Sequence, residues 1–225
     1  MNRLDEIIFL FDVDNTLLDN DRIEADISDH VEQHFGTTGR DRFWAIFEAL
    51  RGEYGFADYL GTVQRFRLEA LQEPRVLEFS SFFLAYPFRS RLYPGALETL
   101  AHIRQFGRTV ILSDGDAVFQ PHKIRCAGLW DAVEGRVLVY VHKERMLSDV
   151  QHHYPAQHYV MVDDKPGILA AMKEIWGAKL TSVFPHQGHY ARASRSMTAY
   201  PRADMTVEHV GDLIKCGYSD FFSSV

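Results

Sequence analysis

Ile7-Ile8-Phe9-Leu10-Phe11-Asp12-Val13-Asp14-Asn15-Thr16-Leu17 opens on five consecutive apolar residues and stops at a carboxylate. An apolar run without alternation reads as a strand buried on both faces, as in a parallel sheet covered by helices. The pattern recurs along the chain. Thr109-Val110-Ile111-Leu112 ends at Ser113-Asp114-Gly115, and Val137-Leu138-Val139-Tyr140-Val141 ends at His142-Lys143. His158-Tyr159-Val160-Met161-Val162 ends at Asp163-Asp164, Leu180 to Phe184 follows Gly177, and Met205-Thr206-Val207 comes near the end. Between these runs, apolar residues fall three and four apart. Ala96 to Phe106 closes at Gly107 and Ile168 to Trp176 closes at Gly177, both reasonable helix stops. Alternating strand and helix predicts an α/β fold with βαβ units, a parallel sheet and right-handed crossovers.

One interval breaks this rhythm. Asp12 and Ser113 lie roughly a hundred residues apart, whereas a βαβ unit needs about 30. The surplus, residues 19–92, carries aromatic and aliphatic residues at helical spacing, with Phe43, Trp44, Phe47 and Leu50 followed by Tyr59, Val63, Phe66 and Leu71. It reads as an inserted helical module of about four helices. The core is then residues 1–18 and 93–225, re-entered at the Tyr93-Pro94-Gly95 turn.

Composition narrows the function. The 225 residues are 46% hydrophobic and 24% charged, with a formal net charge of −7 and two cysteines, Cys126 and Cys216. Those fractions fit a globular chain and exclude a disordered, collagenous or disulfide-framed one. No basic tract argues for nucleic acid, and no apolar stretch approaches the roughly 20 residues of a membrane span. The opening Met-Asn-Arg-Leu-Asp-Glu reads as no secretory leader, so a cytoplasmic protein is expected.

The strand ends carry the chemistry. Asp12, Ser113, Lys143 and Asp163-Asp164 each follow an apolar run, and ligands in open parallel sheets bind beyond the carboxyl ends of strands. A hard cation such as magnesium takes carboxylates and phosphate oxygens, and a phosphoryl group takes a cation, a lysine and backbone donors. Carboxylates crowded on one rim repel unless a cation is shared.

Phe11-Asp12-Val13-Asp14-Asn15-Thr16-Leu17 resembles the D-x-D-x-T signature of the haloacid dehalogenase superfamily of hydrolases. Ile111-Leu112-Ser113 is similar to its second motif, Lys143 to its third-motif lysine, and Val162-Asp163-Asp164 to its fourth, acidic motif. Tyr93-Pro94-Gly95 and Gln187-Gly188-His189-Tyr190 resemble further landmarks. The resemblance implies a Rossmann-like parallel sheet flanked by helices, with a helical cap inserted after the first motif. It implies a Mg2+-dependent phosphatase of small phosphorylated metabolites. Asp12 would be the nucleophile that forms an aspartyl-phosphate, and Asp14 the general acid and base. Thr16 would brace the loop, Ser113 would bind a phosphoryl oxygen, and Lys143 would offset charge on Asp12 and phosphate. Asp12, Asp164 and the Asp14 carbonyl would meet the metal, with Asp163 in support.

Other readings remain. Carbon–halogen hydrolysis needs neither a metal nor an acid at position 14. A phosphomutase would use the same residues, and a phosphate-binding module without catalysis would be expected to lack one of them. Lys123, after Pro121, is the competing lysine and is set aside in favour of Lys143. Asp114 and Asp116 are also left out of the catalytic set, with Asp116 expected to cap a helix. His152, His153, His186 and His189 lack a regular ligand spacing and read as surface residues. Arg40, Arg42, Arg51, Arg65 and Arg67 read individually as solvated.

Overall fold

The computed structural model describes residues 6–69, 74–194 and 200–222, so the predicted helical position Leu71 lies outside the described residues. Six strands, β1 (Ile7–Phe11), β2 (Arg108–Asp114), β3 (Val137–Tyr140), β4 (His158–Val162), β5 (Leu180–Pro185) and β6 (Met205–Val207), form one sheet. Their spatial order is β3-β2-β1-β4-β5-β6 and every pairing is parallel. Helices α1 (Asn20–Tyr54), α2 (Tyr59–Glu69) and α3 (Arg75–Ala85) lie between β1 and β2. Helices α4 (Ala96–Ile103), α5 (Phe119–Cys126), α6 (Leu129–Ala132), α7 (Leu147–His153), α8 (Pro166–Trp176) and α9 (Gly188–Ser194) accompany the sheet. This is the Rossmann-like arrangement that the apolar runs predict. Among the described residues, no helix is long and apolar enough to cross a membrane.

The period-2 geometry of β1 divides the core. Phe9 and Phe11 face one apolar cluster with Ile111, Val160 and Val183, while Ile8 and Leu10 face another with Leu147, Val150, Leu169 and Met172. All five β1 side chains are buried, each contributing roughly 1.5–3 kcal/mol of transfer free energy. The first cluster continues without a break into the helical segment. Phe119 stands 5.9 Å from Phe83 and 5.8 Å from Phe88, ring centroid to centroid. Phe43 in turn packs 5.3 Å from Phe79.

Helix α1 is two helical pieces meeting at Gly36, whose φ of 70° and ψ of 176° lie outside helical values. A side chain there would be strained, so glycine permits the bend. The chain enters and leaves this segment side by side. Leu18 bridges Leu92 in antiparallel fashion, Asp19 N donates to Arg91 O at 2.8 Å and Tyr93 N donates to Leu17 O at 3.0 Å. Both connections therefore sit within a few residues of Asp14.

Candidate active site

Register brings the strand ends together. Phe11 pairs with Ile111 on one side and Val162 on the other, so Asp12, Ser113 and Asp163 emerge at the same edge of adjacent central strands. The Asp12 N–H donates to Val162 O at 3.0 Å and Asp163 N–H to Val183 O at 3.1 Å, fixing both backbones as extensions of the sheet.

The carboxylates of Asp12, Asp163 and Asp164 form a buried group whose candidate ligand atoms lie within 4.8 Å of one another. Lys143 enters from the loop after β3 and is fully buried. Its Nζ lies 2.5 Å from Asp12 Oδ1 and 2.6 Å from Asp163 Oδ2. Burial opposes the Lys143 charge, but Asp12, Asp163 and Asp114 outweigh it and hold the ammonium above its usual pKa range. The Lys143 N–H donates to Asp114 Oδ1 at 2.8 Å, so Asp114 anchors the lysine loop. Burial raises the carboxyl of Asp163 to about 6 against the pull of Lys143. Burial, then the charges of Asp163 and Asp12, push Asp164 up as well.

The two members of the acidic pair are satisfied differently. Asp163 Oδ1 accepts the Lys165 N–H at 2.8 Å while its Oδ2 faces Lys143. Both oxygens of Asp164, and Oδ2 of Asp12 and of Asp163, are buried without a hydrogen-bond donor, and of these Asp163 Oδ2 has the Lys143 ammonium as an ion-pair partner at 2.6 Å. Buried ionised oxygens left this way are costly, and a cation among them removes the cost. The Asp164 backbone is held by its N–H to Thr16 Oγ1 at 3.0 Å, the bracing role expected of Thr16.

Asp14 is placed by residues that the sequence reading did not include. Lys123 Nζ donates to Asp14 Oδ1 at 2.5 Å and is itself only 2% exposed. Gln120 Nε2 donates to Asp14 Oδ2 at 3.1 Å and to Ser113 Oγ at 2.9 Å, linking the second carboxylate to the second motif. Setting Lys123 aside is therefore corrected. Both lysines are in the site, Lys143 on Asp12 and Lys123 on Asp14. Pro121 lies in the first turn of α5, where proline is tolerated, and the helix turns both Gln120 and Lys123 inward. Asp116 is not the N-cap expected of it, since Val118 holds that position; it precedes the helix and its Oδ1 accepts the N–H groups of Val118 and Phe119 at 2.8 and 2.6 Å.

The loop after Asp14 is braced from the far end of the chain. Asn15 takes a left-handed φ of 59°, and its amide bonds Asp21 in both directions. A Cβ at Gly188 would come within 2.5 Å of the Asn15 side chain, so glycine is required at that approach. Gln187 Nε2 donates to Thr16 O at 2.9 Å. His189 reaches Asp21, while no histidine belongs to the acidic group among the described residues. Of the arginines singled out in the sequence, Arg51 lines the cavity above Asp14, whereas Arg40 pairs with Glu32 and Asp41, Arg42 with Glu69, and Arg65 with Glu53. Trp44 and Phe47 line the cavity too, although Phe47 also belongs to the apolar core.

The parallel sheet carries Asp12 at the end of its central strand β1, with Asp14, Ser113, Lys143 and Asp164 on the same rim. The haloacid dehalogenase-like hydrolase family matches residues 8–175, and the chain belongs to that family. It is similar to a haloacid dehalogenase-like hydrolase of Burkholderia xenovorans LB400 at 58% identity and a TM-score of 0.88, over 96% of this chain and 98% of that one. L-2-haloacid dehalogenase of Xanthobacter autotrophicus, with chloropropionic acid covalently bound, shares the fold at 18% identity and a TM-score of 0.62, over 92% and 96% of the two chains. So does the HAD-hydrolase YfnB of Bacillus subtilis bound to magnesium, at 14% identity and a TM-score of 0.60, over 93% and 97%. No curated protein matches the chain.

Proposed function

We propose that this hydrolase is a magnesium-dependent phosphatase of small phosphomonoesters, acting through an aspartyl-phosphate on Asp12. The observation that carries the reading is the trio of buried, donor-less oxygens, Asp12 Oδ2 and both oxygens of Asp164, beside a fully buried lysine. Their hard-oxygen character fits magnesium, which Asp12, Asp164 and the Asp14 carbonyl would hold with Asp163 behind them. When bound, the ion would neutralise charge between the nucleophile and a phosphate dianion.

The chain's own residues do the rest. Lys143 orients the Asp12 carboxylate through Oδ1, and that carboxylate attacks phosphorus while the bond from phosphorus to the ester oxygen breaks. Asp14, fixed by Lys123 and Gln120, gives its proton to the departing alkoxide and then takes one from the water that attacks the aspartyl-phosphate. That second attack releases inorganic phosphate and restores Asp12. Ser113, tied to Asp14 through Gln120, and backbone N–H groups beyond it receive the phosphoryl oxygens. Displacement of halide from carbon requires no leaving-group protonation, which an Asp14 held by two side chains argues against. The test is phosphate release from a phosphomonoester panel with and without magnesium. Turnover that requires the metal is expected. Release of halide from 2-haloacids without metal, and none of phosphate, would overturn the reading.

The acidic pair gives a second expected result. Asp164→Ala should weaken magnesium binding about tenfold or more, and more than Asp163→Ala does, because Asp164 has no other partner while Asp163 serves Lys143 and the Lys165 N–H. Isothermal titration with magnesium checks the ranking. Protonation competes with the metal at raised carboxyls, so affinity in the wild type should fall as pH is lowered through about 6.

A further inference from the structure

Three Lys or Arg side chains, Arg51, Lys123 and Lys165, line the cavity of about 350 Å³ beside Asp14. Two of them are taken. Lys123 Nζ is bound to Asp14, and Arg51 lies 3.7 Å from Glu48 and donates to Tyr190 Oη at 3.4 Å. Lys165 is different. Among the described residues its Nζ has neither a hydrogen bond nor an ion pair, and it is not sealed from solvent. This lysine directly follows the acidic pair and precedes α8. Its N–H donates to Asp163 Oδ1 at 2.8 Å, which anchors its backbone to the acidic group, and Pro166 opens the helix behind it. Its Nζ stands 5.6 Å from the ring centroid of Tyr190, on α9. An aromatic face holds a cation there without consuming its N–H donors. Burial opposes the Lys165 charge, but Asp12, the strongest of its charged neighbours, together with Asp163 and Asp164 keeps the ammonium above its usual range.

Lys143 is the contrasting case. An ammonium has three N–H groups. Three oxygens already surround Lys143 Nζ, Asp12 Oδ1 at 2.5 Å, Asp163 Oδ2 at 2.6 Å and Leu112 O at 3.4 Å, and the side chain is fully buried. Lys143 is thus committed to the nucleophile and the acidic pair. We propose, resting on the phosphatase reading above, that Lys165 is a further catalytic residue, whose ammonium donates to a non-bridging oxygen of the reacting phosphoryl group. It moves no proton and forms no covalent bond. It holds charge on that oxygen while the bond from Asp12 to phosphorus forms and the ester bond breaks, and Gly115, beyond Ser113, lines the same cavity. Tyr190 positions it, which gives the Gly188-His189-Tyr190 stretch a part in the site.

The experiment measures kcat/KM with saturating magnesium for p-nitrophenyl phosphate, glycerol phosphate and phosphoglycolate, and competitive inhibition by inorganic phosphate. Lys165→Met should lower kcat/KM about 10²-fold for all three esters, because all share the phosphoryl group. Inhibition by inorganic phosphate should weaken tenfold or more. Lys165→Arg should return both values to within tenfold of wild type. Magnesium affinity by calorimetry should hold or tighten in Lys165→Met, since a neighbouring positive charge has gone. Should Lys165→Met fail to fold in a thermal melt, Lys165→Gln takes its place in every measurement. Unchanged inhibition by inorganic phosphate would overturn the proposal and leave the phosphatase reading standing. So would a loss confined to phosphoglycolate, which would place Lys165 on the part of the substrate that does not react. A fall in magnesium affinity matching the loss of activity would also overturn it, placing the lysine in support of the acidic group. No turnover of any phosphomonoester by the wild type would remove the phosphatase reading and this proposal with it.

Discussion

Asp12→Asn should lose phosphatase turnover by about 10⁴-fold or more while the protein remains folded. An amide is nearly isosteric with the carboxylate but lacks the anionic oxygen that bonds phosphorus. The position is otherwise over-determined: the Asp12 N–H belongs to the sheet, through Val162 O, and Phe11 before it is wholly buried. Lys143 loses one counter-charge, yet Asp163 still lies 2.6 Å from its Nζ and Asp114 still holds its backbone. The stability cost should therefore be smaller than the roughly 3–5 kcal/mol seen when a buried pair loses its only partner. Phosphate release, read beside a thermal melt, separates the two effects. Activity within tenfold of wild type would remove Asp12 from the nucleophile's role.

The strands were legible because this sheet is covered on both faces, which writes each strand as an uninterrupted apolar run. Ile7–Phe11 and His158–Val162 coincide with their predicted ranges for that reason. The rim was legible for a related reason, since a parallel sheet sends every carboxyl end the same way. Lys123 and Gln120 were not. They sit on a helix, among His122 and Arg125, where no local pattern distinguishes an inward lysine from a solvated one. Lys123 is buried because Asp14 receives it, and that partner lies 109 residues earlier in the chain. The same limit hides the cavity wall. Arg51 differs from Arg40 and Arg42 only in which side of α1 it occupies, and helical spacing alone does not say which side faces the cavity. The ranking of Asp164 before Asp163 came from the resemblance and not from the residues themselves; in the structure the Asp163 N–H stays in the sheet's hydrogen bonding and the Asp164 N–H turns to Thr16.

Lys143→Met should lower both activity and stability, and the stability loss should depend on pH in a defined direction. In the wild type the Lys143 ammonium is the buried cation in contact with Asp12 and Asp163. Its folded pKa lies above the unfolded value, so its contribution is complete below about pH 10 and is lost only as pH rises further. Asp163 behaves oppositely. Its folded value of about 6 exceeds the unfolded one, so its ionisation costs stability as pH rises from about 4 to 6. Methionine in place of the lysine removes the largest restraint on this cost at Asp163 and leaves the charge of Lys165. The carboxyls of Asp163 and Asp164 should then resist ionisation to still higher pH. The deficit relative to wild type should be small near pH 4, where protonated carboxyls need no cation, and grow to about 3–5 kcal/mol by pH 7 to 8. Urea unfolding without divalent cations, at several pH values, reads this directly. Added magnesium should recover part of the deficit, since a second cation can enter the same acidic group. A deficit that stayed constant from pH 4 to 8 would mean that Lys143 contributes through packing of its stem, and the electrostatic account of the site would fail.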